Sequence, residues 1–229
     1  MKIEQNYPSF IAFRENEINT LNFLNTRPIL KQYETLTNTI QTSYLENFSK
    51  AKKYPNSDFV FHCDFEMDVE GHKHIVIVGA NVLYGFSICS YFLAVVDKEN
   101  TELIRKFHFD FALPSISTTN KVPTFHLQYG GKMSPQLVEL GFNSDKLDHW
   151  LSLPRLNFSP INLALLLDML FCEFRTEETN KIVEDPDWRS LIYINEKFIS
   201  CNYFENIYRH ITSSAYKKET LLRDFCYGT

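Results

Sequence analysis

Three short stretches of the chain place histidines and carboxylates in alternation with large apolar residues. His62, Asp64 and Glu66 alternate with Phe61, Cys63 and Phe65; His108 and Asp110 with Phe107, Phe109 and Phe111; His126 and Gln128 with Phe125 and Leu127. A period of two is the pattern of a β-strand, so each set lies on one face of its strand. Should the three faces point the same way, imidazoles and carboxylates converge on one sheet surface. Such groups together bind a divalent metal or work as base and acid. His108, Asp110 and His126 are the candidate catalytic residues, and His62, Asp64, His108 and His126 the candidate metal ligands. These are parts for metal-dependent phosphodiester cleavage, as in a nuclease or phosphodiesterase-type toxin. A simpler reading competes with it and is preferred: an antiparallel sheet has one solvated face that is polar by default, and cross-strand His–Asp pairs there add modest stability.

Other residues with chemical potential have structural explanations. Ser159 lacks the GxSxG surround of a nucleophile elbow, and Ser159-Pro160 reads as a helix start, with serine as cap and proline in the first turn. Asp168 falls in an apolar helical run, where a buried carboxylate needs a partner; Arg155 is the candidate. Gly130-Gly131 has no Walker lysine and serine after it, so phosphate cradling is not indicated. The five cysteines (Cys63, Cys89, Cys172, Cys201 and Cys226) are scattered, odd in number and never CxxC, which disfavours a zinc site or a disulfide framework. Buried reduced thiols are the expectation, and no cofactor is implied.

The elements that must position these residues follow from periodicity. Tyr33, Leu36, Ile40, Tyr44 and Phe48 recur at steps of three and four, one face of a helix that Thr26 and Pro28 would start and Pro55-Asn56 would end. A shorter helix over Glu15 to Leu24 precedes it. From Asp58 the period changes to two: a strand to Asp68, a turn at Glu70-Gly71, and a return strand from Lys73 to Val78. Leu83 to Val96 reads as one long strand with a bulge near Gly85, Leu103 to Phe111 as a fourth strand, and Thr124 to Tyr129 as a fifth. Short connections favour antiparallel pairing, because a parallel crossover needs about a dozen residues or more. Ile161 to Phe174 is apolar nearly all round and belongs across the sheet's aromatic face. Asp185-Pro186 starts a further helix that a break near Ser200 would interrupt, and Ser214 to Phe225 reads as a short closing helix. The expected fold is a single α+β domain over residues 1–229: helical over 1–55, a meander of four to five strands over 58–130, and helical again over 159–226. Phe61, Phe65, Phe107, Phe109 and Phe125 should be buried.

Composition narrows the function classes. The net charge of −5, from 23 basic and 28 acidic residues, disfavours direct nucleic-acid binding. Single-stranded nucleic acid stacked on exposed aromatics stays as an alternative. Ile75 to Val96 carries no charge and is long enough to span a bilayer, but Gly79, Asn81, Gly85, Ser87 and Ser90 make two buried strands the better reading. The N-terminal MKIEQNYPSF lacks the apolar run of a signal peptide, so a cytoplasmic protein is expected. The 20 phenylalanines and 12 tyrosines exceed what one thin core needs, and surplus aromatics anchor interfaces.

The order HFDF, then HLQYGG, then LPRLNFSPINLALLLDMLFCEF, between Leu103 and Phe174, resembles small bacterial proteins that accompany ATPases or nucleases in defence-type operons. His108, Asp110, His126 and Gln128 are the positions that match. The resemblance implies an accessory or effector-linked protein of the bacterial cytoplasm, with an ATPase or nuclease subunit as partner, and it transfers no catalytic role. With no complete catalytic motif present, the expected function is a non-catalytic interaction subunit of a larger assembly. Its candidate contacts are Trp188, Tyr193, Tyr203, Tyr208 and Tyr216, for which ordinary helix packing is the rival explanation.

Overall fold

A computed structural model describes residues 8–27, 34–54, 56–86, 88–99, 103–111, 125–129 and 155–213. Among them are five helices, α1 (Phe10–Thr26), α2 (Glu34–Lys53), α3 (Leu163–Glu173), α4 (Glu177–Glu184) and α5 (Pro186–Thr212). Six strands, β1 (Phe59–Val69), β2 (His72–Val82), β3 (Cys89–Asp97), β4 (Leu103–Phe111), β5 (Phe125–Tyr129) and β6 (Arg155–Asn157), pair antiparallel in sequence order. The α+β meander expected from the periodicity is present, lengthened by one short strand.

The β1–β2 hairpin turns on Glu70 (φ 55°) and Gly71 (φ 80°), a two-residue loop of positive φ that matches the twist of the paired strands. The Asp68 carboxylate accepts from the Gly71 N–H and fixes it. The long third strand does not form. A 3-10 turn over Tyr84–Phe86 separates β2 from β3, and Gly85 (φ 66°) supplies its reversal rather than a bulge. The uncharged stretch from Ile75 to Val96 is thus two strands, and no helix among the described residues is long and apolar enough to cross a membrane.

One sheet face carries the main core, and the other a smaller buried cluster of Ile77, Ala94 and Val96. Phe59, Phe61, Cys63, Phe65 and Met67 of β1 are buried with Val76, Val78, Ala80 and Val82 of β2, Tyr91 and Leu93 of β3, Phe109 and Phe111 of β4, and Phe125 of β5. Phe107 is half-buried against the same cluster. Helix α2 packs on β1, α3 on β3, and α1 joins α2 to α3. β1 is an edge strand, and Asn47 of α2 covers it: its side-chain amide donates to the Val60 carbonyl (3.0 Å) and accepts from the Val60 N–H (3.4 Å).

Three helical expectations need correction. Helix α3 begins at Leu163, not after Ser159, because Asn162 is the cap: its Oδ1 accepts from the Leu165 N–H at 3.1 Å. Helix α5 runs unbroken through Ser200. Asp168 of α3 has Trp188 as its partner, whose indole Nε1 donates to Oδ1 at 2.8 Å; the Arg155 side chain lies outside the described residues. So do Pro28, Gly130-Gly131, Cys226 and the expected helix over 214–225.

Candidate functional site

The sheet's second face holds the alternating polar residues, as their spacing requires. Register aligns them in rows. His62 stands opposite Gly79, Gly79 opposite Phe92, Phe92 opposite His108, and His108 opposite Gln128. In the next row Ser90, Asp110 and His126 are cross-strand neighbours. Gly79 explains how the first row closes. A Cβ added there would meet the Phe92 ring at 2.0 Å, so the ring lies over the glycine and fills the space of its missing side chain. From that position it reaches both imidazoles, with ring centroids 6.1 Å from His62 and 6.2 Å from His108.

This arrangement separates what the sequence grouped. His62 and Asp64 sit on β1 and His108 and Asp110 on β4, three strand spacings or about 14 Å apart. His108, Asp110 and His126 are neighbours on one face. The full set does not converge on one point, and among the described residues no three His, Cys, Asp or Glu side chains are placed to hold a metal ion. Metal-dependent phosphodiester cleavage by His62, Asp64, His108, Asp110 and His126 therefore lacks its coordination sphere.

Acid–base chemistry without a metal has little more to stand on. Asp110 accepts from the Ser90 hydroxyl through Oδ1 (2.5 Å) and lies 3.7 Å from His126 Nε2 through Oδ2. The carboxylate stands between serine and imidazole, whereas activating the serine would need the imidazole in the middle. The cavity touching Asp110 and His126 holds about 10 Å³, room for one water and no substrate. Burial holds the His108 imidazole below its ordinary range, against the attraction of Asp110 and with the help of Lys106. Nε2 of both His62 and His108 is buried without a hydrogen-bond partner among the described residues, so none of these holds that nitrogen for proton transfer.

A second polar cluster, invisible to motif reading, lies under α3. Glu17 of α1 is fully buried, and its carboxyl oxygens accept from the Leu163 N–H at 3.3 Å. Burial pushes its pKa up to about 8, outweighing the Leu163 N–H and the Tyr91 side chain, which favour the charged form. Beside it Asn162 Nδ2 donates to Asn195 Oδ1 (2.6 Å) and Asn16 Oδ1 (3.2 Å), tying α1, α3 and α5 together. Each of these groups is engaged with another part of the fold, which is structural work.

Helix α5 is apolar on two sides. Trp188, Leu191, Ile192, Asn195, Ile199 and Tyr203 form its buried stripe. Trp188 meets the Phe171 ring edge-on at 5.5 Å and Tyr203 meets Phe125 at 5.2 Å, so these two expected contact residues are core residues instead. Tyr193 and Tyr208 are exposed as expected, and Tyr216 lies outside the described residues. At about 100° per residue, the opposite side of the helix carries Ile194, Phe204, Tyr208 and Ile211, which are 58%, 54%, 68% and 42% exposed. Along the flank of this stripe a groove of about 660 Å³ runs between α3 and α5, lined by Leu165, Met169, Cys172, Tyr193, Cys201 and Phe204 among others. Cys172 and Cys201 are exposed there, contrary to the expectation of buried thiols; Cys63 and Cys89 are buried. No family model matches the chain, and neither a curated protein nor a solved structure is significantly similar to it.

Proposed function

We propose that this protein is a non-catalytic interaction subunit of a larger cytoplasmic assembly, and that the outward face of α5 is its contact surface. The observation that carries the proposal is the second apolar stripe. A helix lying on a core needs one apolar side, and α5 keeps another, with Ile194, Phe204, Tyr208 and Ile211 all exposed. Large aromatics at such positions are the usual anchors of protein interfaces. The likeness of Leu103 to Phe174 to defence-associated accessory proteins suggests an ATPase or nuclease subunit among the members of the assembly. The test is affinity purification from the native host of the tagged wild type and of the Phe204→Glu/Tyr208→Glu variant, with sizing of what co-elutes. The proposal expects a stoichiometric protein partner with the wild type and its loss with the variant. Identical complexes for both, or no complex for either, would overturn it.

A further inference from the structure

The spacing along the exposed side of α5 says more than that it is apolar. Ile194, Lys197, Cys201, Phe204, Tyr208 and Ile211 follow one another at steps of three, four, three, four and three. All six are exposed. That is the seam of a heptad repeat, in which positions three and four apart form a line that a second helix can cover. It spans about 26 Å at about 1.5 Å per residue.

The seam is also symmetric under reversal. Place a two-fold axis midway between Asn202 and Tyr203, perpendicular to the helix, and lay a second α5 antiparallel. Cys201 then stands level with Phe204 of the second copy, Lys197 with Tyr208, and Ile194 with Ile211. Cys201 meets Phe204, Ile194 meets Ile211, and the lone lysine meets an aromatic ring. A parallel pairing would set Lys197 on Lys197, so charge selects the antiparallel arrangement. Because each contact occurs twice about the axis, the interface is closed and self-complementary.

We infer that the occupant of the α5 face is a second copy of this chain, packed antiparallel through Ile194, Cys201, Phe204, Tyr208 and Ile211 to form a two-fold dimer. The inference rests on the reading of α5 as an interface and names its partner. A single seam of this length falls short of the roughly 800 Å² per partner of a standard complex, so association in the micromolar range is expected.

The purified full chain, with nothing from the host, is the material for the test. Sedimentation equilibrium across micromolar concentrations should show a monomer–dimer equilibrium. Phe204→Glu should weaken it by roughly a hundredfold or more, since it buries unpaired charge in an apolar layer. Its position is exposed in the single chain, so folding should survive. Lys197→Glu gives a second, gentler reading: an anion replaces the cation that faces the Tyr208 ring of the second copy, and the dimer should weaken several-fold, while Lys197→Arg should keep it. A monomer at every concentration would overturn the inference, as would a dimer indifferent to Phe204→Glu or to Lys197→Glu. Should the chain be monomeric while the Phe204→Glu/Tyr208→Glu variant still loses a partner in the host, self-association falls and the interface reading stands. Should that partner also be retained, both fall.

Discussion

The second face of the sheet and the outer face of α5 make opposite use of unusual residues. The sheet face is rich in groups that do chemistry, yet the structure puts them to work on each other. Asp110 is taken by Ser90 and His126, and the His62 and His108 rings flank Phe92. The α5 face is chemically plain, yet it leaves Phe204 and Tyr208 in water, where each keeps apolar surface that the core did not claim. Residue type alone points to the first region as functional. Exposed apolar surface points to the second, because an uncovered apolar patch is what a partner can still act on.

The comparison divides the aromatics of α5 sharply, and that division gives the largest expected effect. Trp188 is buried with its indole bonded to Asp168, so Trp188→Ala should cost about 3–5 kcal/mol in chemical denaturation. Tyr208→Ala, at an exposed site, should stay within about 0.5 kcal/mol. Equal costs for the two would erase the boundary between core stripe and contact stripe.

Glu17 gives the next effect, through pH. Its folded pKa of about 8 lies above its ordinary value of 4.5, so the folded state holds the proton more tightly than the unfolded chain. The stability from this group is fully present below pH 4.5 and is lost as pH rises through 8. Glu17→Gln keeps an acceptor for the Leu163 N–H and removes the charge. The variant should gain stability over the wild type progressively between those pH values, by about 1.4 kcal/mol for each unit of pKa difference at most. A wild type and variant that fall in parallel would show that Glu17 is not a buried acid.

Gly79 tests whether the histidine row is packing. Gly79→Ala should cost about 1–3 kcal/mol, because the new methyl displaces the Phe92 ring. In a Phe92→Ala background the same change should be nearly free, a coupling that a double-mutant cycle reads directly. The smallest effect belongs to His108, whose folded pKa is depressed mainly by burial. The unfolded chain then binds the proton more readily, so the contribution of His108 is present above pH 6.5 and is lost as pH falls toward the folded value. Replacement by Gln should flatten the slope of stability on that acid side. An unchanged slope would remove His108 from the buried row.

How much of this was legible beforehand depended on whether a feature repeats. The strands were readable because Phe61, Phe65, Phe109 and Phe125 recur at period two, and each is buried. The short β6 has too few residues to show a period. Gly85 misled because a glycine in an apolar run signals a bulge or a turn equally, and only its positive φ decides. Ser159-Pro160 looks like a helix start, but Asn162 takes the cap three residues after Ser159, where it also reaches Asn195. Face-sharing of the histidines was readable; their separation was not, because it depends on β2 and β3 standing between β1 and β4. Glu17 was readable in principle, since it shares the step of four with Phe13 and Leu21, both fully buried. On α5 the heptad steps are present in the sequence, but a helix break near Ser200 would divide them.

The most direct test sets the two regions against each other in one experiment. Tagged wild type, the α5 variant Phe204→Glu/Tyr208→Glu and the sheet variant His108→Ala/Asp110→Ala/His126→Ala are each purified from the native host, and the mass of the eluted complex is measured. The account predicts that the α5 variant elutes alone while the sheet variant, if folded by circular dichroism, keeps the wild-type complex. Loss of the complex in a folded sheet variant, with the α5 variant unaffected, would contradict it.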